Sequence, residues 1–76
     1  MKSFGEISVG LDFNPSGSGK VQKLKELFAE IIDIIHFYEK DNLGKGWYPS
    51  RHIAETAIAE AIGAQMWAEK AVTWKD

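Results

Sequence analysis

Val21-Gln22-Lys23-Leu24-Lys25-Glu26-Leu27-Phe28-Ala29-Glu30-Ile31-Ile32-Asp33-Ile34-Ile35-His36-Phe37-Tyr38 is the stretch that decides the fold. Val21, Leu24, Phe28, Ile31, Ile35 and Tyr38 recur at steps of 3, 4, 3, 4 and 3, which places their side chains on one face of an α-helix. Leu27, Ile32 and Ile34 widen that stripe beyond what one partner helix covers. A helix over residues 20–40 is therefore expected. Ala54, Ala57, Ala61, Ala64, Ala68 and Ala71 repeat the same steps and predict a second helix over 50–74, opened by Pro49-Ser50. Small side chains on that stripe let a partner helix approach closely, and Phe28 and the isoleucines of the first helix fill the gap. Ile53, Ile58, Ile62, Met66, Trp67 and Trp74 fall outside the alanine stripe.

The segments around these helices are short. Asn42 and Gly44 favour a helix-ending turn, so 41–49 reads as a loop, with Trp47 and Tyr48 as core or interface anchors. Asn14-Pro15-Ser16-Gly17-Ser18-Gly19 is turn chemistry over 14–19, and Ser16 or Ser18 can cap the following helix. In 1–13, Ile7, Val9, Leu11 and Phe13 alternate with smaller or polar residues, the period of a short strand or extended arm. The expected architecture is all-α: a single domain over 1–76, an antiparallel two-helix hairpin with a short extended N-terminal arm, assembled into an intermolecular helical bundle.

Size makes the assembly part of that expectation. A chain of 76 residues buries too little surface to be comfortable alone, and with no cysteine it has neither disulfides nor thiolate–zinc staples. Surplus apolar area on both helices points to self-association. A net charge of −2 argues against binding a nucleic acid polymer. No apolar run reaches the ~18–20 residues that a membrane span needs. The first residues lack the apolar segment of a secretory signal, so a cytoplasmic location is expected.

The charges of the first helix run against its dipole. Residues 18–25 hold Lys20, Lys23 and Lys25 and no acid, whereas 26–41 hold Glu26, Glu30, Asp33, Glu39 and Asp41 against Lys40 alone. Either a bound anion sits near the helix start, or the lysines are solvated and pair with Glu26 or with neighbouring chains. A nucleotide-hydrolase phosphate loop is excluded, because Asn14 and Val21 stand where that motif needs glycine and a hydroxyl residue. Phe13 beside the lysines either stacks a base or staples the junction. Asp33, His36 and Glu39 share a helical spacing used by metal sites, yet the set lacks the further inward carboxylates and the motif glutamate. No catalytic residue, metal or cofactor is expected, and no nucleophile stands with a paired base.

Two blocks of sequence carry a resemblance. Phe13-Asn14-Pro15-Ser16-Gly17 is followed by Val21, Leu24-Lys25, Ala29 and Ile32-Asp33; later come Ala64-Gln65-Met66-Trp67-Ala68, Lys70-Ala71 and Thr73-Trp74. Together they resemble the helical-hairpin domain of phage anti-CBASS and anti-Thoeris proteins, across residues 13–74. The resemblance implies a phage-encoded sponge, not an enzyme, that sequesters cyclic nucleotide second messengers of bacterial immunity in the host cytoplasm. It implies a homo-oligomer, a hexamer above all, whose ligands are cyclic dinucleotides or cyclic ADP-ribose-type signals. By motif position, Phe13 would stack on a base and Lys25 would meet the phosphate, with Asn14, Pro15 and Ser16 shaping the turn and Lys20 nearby. Some members bind cyclic trinucleotides through an Arg and a Thr one turn apart on the second helix. Here Ala59 stands where that Thr is expected, and Arg51 and Thr56, the candidates for such a second site, are five apart. The chain also departs from the family at Glu69, where Val is frequent. The alternative function is a small helical-hairpin interaction protein that binds or inhibits a host protein through an exposed apolar face.

Overall fold

A computed structural model of the chain describes residues 1–41 and 49–76. Among them are three helices and no strand: α1 (Phe4–Ser8), α2 (Gly19–Asp41) and α3 (Pro49–Thr73). The loop expected over 41–49, with Trp47 and Tyr48, lies outside the described residues except at its two ends, which belong to α2 and α3.

The extended arm is corrected to a capped helical turn. Ser3 Oγ accepts from the Glu6 backbone N–H at 3.1 Å, and the Glu6 carboxylate accepts from the Ser3 N–H at 2.8 Å, which is a complete capping box. Gly10, at φ +64°, stops the helix: its N–H donates to the Ile7 carbonyl and the Leu11 N–H donates to the Glu6 carbonyl. Hydrogen bonds at both ends outweigh the period-2 apolar pattern, which buries little here: Ile7 is 67% exposed and Phe13 is 72% exposed. The alternation was real in sequence, but no neighbouring strand exists among the described residues to use it.

A turn at Asn14–Gly17 leads into α2, which begins at Gly19. Gly17, at φ +65°, donates from its N–H to the Asn14 carbonyl across Pro15 and Ser16. Ser18 is the cap, with its Oγ 3.4 Å from the Val21 N–H. Ser16 instead accepts from the Ser18 N–H and donates to the Asn14 side chain.

The two long helices pack against each other, and Lys25 near the start of α2 meets Glu69 near the end of α3. The core is Val9, Ala29, Ile32 and Ile58, with Phe28, Ile35, Ala61 and Ile62 packed against it. On α3 the inward seam departs from the alanine stripe. Ala54 is buried and Ala57, Ala61 and Ala68 are half-buried, but Ala64 and Ala71 are exposed, while Ile58 and Gln65 are buried. The seam that α2 covers thus runs Ala54, Ile58, Ala61, Gln65 and Ala68, again at steps of 4 and 3 but rotated from the all-alanine row.

α1 docks on a third side of α2 through a close backbone approach. The Gly5 N–H donates to Asp33 Oδ1 at 2.6 Å, and a Cβ at Gly5 would overlap the Ala29 carbonyl and lie 2.8 Å from Asp33 Oδ1. The Phe4 ring stacks on His36, centroids 4.0 Å apart and 9° from parallel. Asp33 and His36, weighed above as metal ligands, hold α1 in place.

The exposed surface is 5506 Å², against about 4,700 Å² for a folded monomer of this mass. Ile31, Ile34, Phe37, Ile53, Trp67 and Trp74 are among the large apolar side chains left exposed.

Two consequences are testable. Gly5→Ala should cost about 1–3 kcal/mol through overpacking and release α1, read as a lower thermal midpoint and lost amide protection at residues 4–8. The Lys2 amine lies 2.5 Å from Asp12, and this hydrogen bond, then the charge, raises its pKa above the ordinary 10.5. A raised lysine contributes fully below pH 10.5 and loses that contribution as pH climbs through the raised value. Titration of the Lys2 side chain by NMR should therefore end later than that of a free lysine, with neutral-pH stability unchanged.

Candidate functional site

At the end of the molecule where α2 begins and α3 finishes, the turn and both helices enclose a cleft of ≈ 220 Å³. Phe13, Asn14, Pro15 and Ser16 form one wall; Val21 and Lys25 come from α2, and Glu69, Lys70 and Thr73 from α3. Five of the six residues singled out for the ligand thus line one cleft, although twelve positions separate Phe13 from Lys25.

The turn wall is fixed by amide hydrogen bonds. The Asn14 side-chain N–H donates to the Ser18 carbonyl at 3.0 Å and to Gln22 Oε1 at 3.4 Å, and Gln22 Nε2 donates to the Leu11 carbonyl at 3.3 Å. Pro15 and Ser16 are held exposed over the cleft, and Phe13 presents a ring that is 72% exposed. An aromatic ring so placed is free to stack on a planar ligand.

Lys25 is the unusual residue. It is only 5% exposed, a rare condition for a lysine. Its Nζ donates to the Val9 carbonyl at 2.8 Å and lies 3.4 Å from Glu69 Oε1. Val9 is the C-cap of α1, so its carbonyl is one that the short helix leaves without an internal partner. Burial of an ammonium is costly unless it is paired, and here a carbonyl and a carboxylate supply the pairing. Gln65, itself buried, donates from Nε2 to the other oxygen of Glu69. One lysine therefore ties α1, α2 and α3 together at the floor of the cleft.

The remaining predicted residues lie elsewhere. Lys20 is exposed and does not line the cleft. Lys23 belongs to a separate concavity with Glu6, Glu26, Glu30 and Asp33, where its charge is opposed by acids of its own chain. Arg51 pairs with Glu55 at 3.2 Å, and Thr56 is exposed. Eighteen residues separate Arg51 from Glu69 on α3, about 27 Å along the axis, so the two candidate sites are at opposite ends. Among the described residues no group of three or more His, Cys, Asp or Glu is placed to hold a metal ion, and no helix is long and apolar enough to cross a membrane.

Sequence reasoning missed Glu69, Lys70 and Thr73 as lining residues. Lys70 Nζ sits 5.1 Å from the ring centres of both Trp67 and Trp74, a cation held between two exposed aromatics at the edge of the cleft. The spacing 67, 70, 74 carries that signal, since three- and four-residue steps share a helix face. The Lys25–Glu69 pair has no local signal, because it depends on how the two long helices are aligned. A larger groove of ≈ 430 Å³ lies toward the other end of the helices, between Ile34, Ile35 and Tyr38 of α2 and Ile53, Ala54 and Ala57 of α3.

No protein-family pattern, curated protein or solved structure matches this chain.

The buried pair makes a definite prediction. Lys25→Met should destabilise the fold by about 3 kcal/mol, the lower end for breaking a buried pair because Glu69 is partly solvated. Adding Glu69→Met should recover part of the loss in chemical denaturation, since no carboxylate is then left unpaired.

Proposed function

We propose that this chain is a phage-encoded immune-evasion sponge: it binds and sequesters cyclic nucleotide second messengers of bacterial anti-phage defence without chemically altering them. The ligands are cyclic dinucleotides or cyclic ADP-ribose-type signals. The observation that supports this reading best is the convergence of Phe13, Asn14, Pro15, Ser16 and Lys25 on one cleft. An exposed ring can stack on a base while ammonium groups at the floor and edge, Lys25 and Lys70, face a phosphate. The resemblance carried by residues 13–74 points to the same residues from an independent direction.

In this reading the protein works as a cytoplasmic homo-oligomer in which the helical hairpins bundle, with a hexamer favoured. The excess exposed area and the apolar residues on the outer faces of α2 and α3 support self-association. A second reading rests on the ≈ 430 Å³ apolar groove between Ile34 and Ile53, which suits an apolar segment of a host protein.

Calorimetry of the purified protein against a panel of cyclic dinucleotides and cyclic ADP-ribose isomers tests the sponge. The expected result is saturable binding with the ligand recovered intact; absence of heat with the whole panel rejects it. Phe13→Ala should weaken binding by about 1–3 kcal/mol, roughly 5- to 150-fold, with little change in melting because the ring is exposed. Light scattering should give a particle several times the 8.5 kDa chain mass; a monomer at all concentrations would remove the assembly from the proposal.

A further inference from the structure

The cleft already contains an anion. We propose that the Glu69 carboxylate is a resident competitor: it occupies the place at Lys25 that a ligand phosphate would take, and binding requires it to swing aside. This inference rests on the reading of the cleft as a phosphate site, and it assigns to Glu69 the control of that site.

The geometry distinguishes the two partners of Lys25. The bond to the Val9 carbonyl is short, 2.8 Å, and buried, so it belongs to the scaffold. The contact with Glu69 Oε1 is 3.4 Å, longer than the ~2.7–2.9 Å of a charge-assisted N–H···O bond. An ion pair at that distance is held by charge more than by directional bonding. Glu69 is also the more solvated partner, with its side chain 20% exposed against 6% for Lys25. It projects from the last turns of α3, beside Lys70 and Thr73 on the same wall, whereas Lys25 is locked below. Rotation toward water costs the carboxylate its bond from the buried Gln65 amide as well as the ion pair, and a phosphate seated at Lys25 would take over as the acceptor for that amide while the ammonium stays.

Charge gives the competition its selectivity. Of the ionisable residues lining the cleft, Lys25 and Lys70 are cationic and Glu69 is anionic, a net +1 that matches a single phosphodiester. A ligand with a second phosphate close to the first would meet the carboxylate as well. Removing the negative charge at 69 leaves +2 and opens the floor to any compact oxyanion.

Glu69→Gln keeps the shape and leaves an amide oxygen to accept from Gln65 or Lys25. Its thermal midpoint should fall in sodium chloride and recover in sodium phosphate of equal ionic strength, by several degrees more than the wild type gains. Backbone amide shifts at residues 13–16 and 25 should report the phosphate. With any cyclic dinucleotide that the wild type binds, Glu69→Gln should bind about tenfold more tightly. Glu69→Asp, which withdraws the carboxylate by one methylene and is the more conservative fold, should fall between the two.

The proposal is overturned if phosphate stabilises the variants no more than the wild type, or if the wild type binds a cyclic dinucleotide and Glu69→Gln binds it no better. Phosphate rescue of the variant, with no cyclic nucleotide bound by either protein, would keep the competitor and reject the ligand class proposed above.

Discussion

One buried ammonium organises this molecule. Lys25 is placed by α2 where water cannot solvate it, and its donors must be met from within the chain. The Val9 carbonyl meets one and the Glu69 carboxylate faces the group from α3. Each partner belongs to a different segment, so satisfying the lysine fixes how all three helices lie together. The cleft above it is a by-product of that requirement: the turn from Phe13 to Ser16 has to pass over the point where the segments meet. Gly10 contributes by closing α1 one residue after Val9, which leaves the Val9 carbonyl pointing out of the short helix toward the amine.

The lysines that look like a cluster in sequence are divided by the fold. Lys20, Lys23 and Lys25 occupy successive positions on one helix turn and a half, yet only Lys25 enters the cleft. Helical geometry separates Lys25 from the other two, because residues two or five apart point to different sides of the axis. Lys23 faces acids, Lys20 faces solvent, and Lys70 arrives from the far end of α3 to take the place that charge counting along α2 alone would assign to them. Ser18 caps the start of α2, so one of its free backbone N–H groups, that of Val21, is met within the chain.

What could be read from sequence follows the range of the interactions involved. The two long helices were legible from the apolar periodicity around Phe28, from the alanine row between Ala54 and Ala71 and from Pro49-Ser50, since these act within a turn or two. The turn at Asn14 to Gly17 was legible for the same reason. α1 was misread although its signals were present: Ser3 and Glu6 three apart, then Gly10, a start and a stop for one turn of helix. The alternation of Ile7, Val9 and Leu11 competed with them, and burial decides which pattern is used; only Val9 of these three is buried. Among the site residues, Phe13 to Ser16 lie together because they are consecutive. Glu69 could not be paired with Lys25 in advance, because that contact spans 44 positions and depends on the rotation of α3 about its axis. That rotation was itself misjudged, since a row of six alanines looked like the seam until Ile58 and Gln65 took the inner positions.

The chain measures 47 × 29 × 13 Å between its outermost Cα positions, so it is a plate about one helix thick. Among the described residues, Ile32 is the one large side chain wholly removed from solvent. A plate gains less on folding than a sphere of the same mass, because both broad faces stay hydrated. Its heat-capacity change on unfolding is correspondingly small, since that quantity follows the apolar area newly wetted. The isolated chain should then unfold over a wide span of temperature, with a flat stability curve and a low sensitivity to denaturant. Stacking plates face to face would restore the missing depth and sharpen the transition, so the breadth of the melt is a direct reading of how thick the protein is in solution.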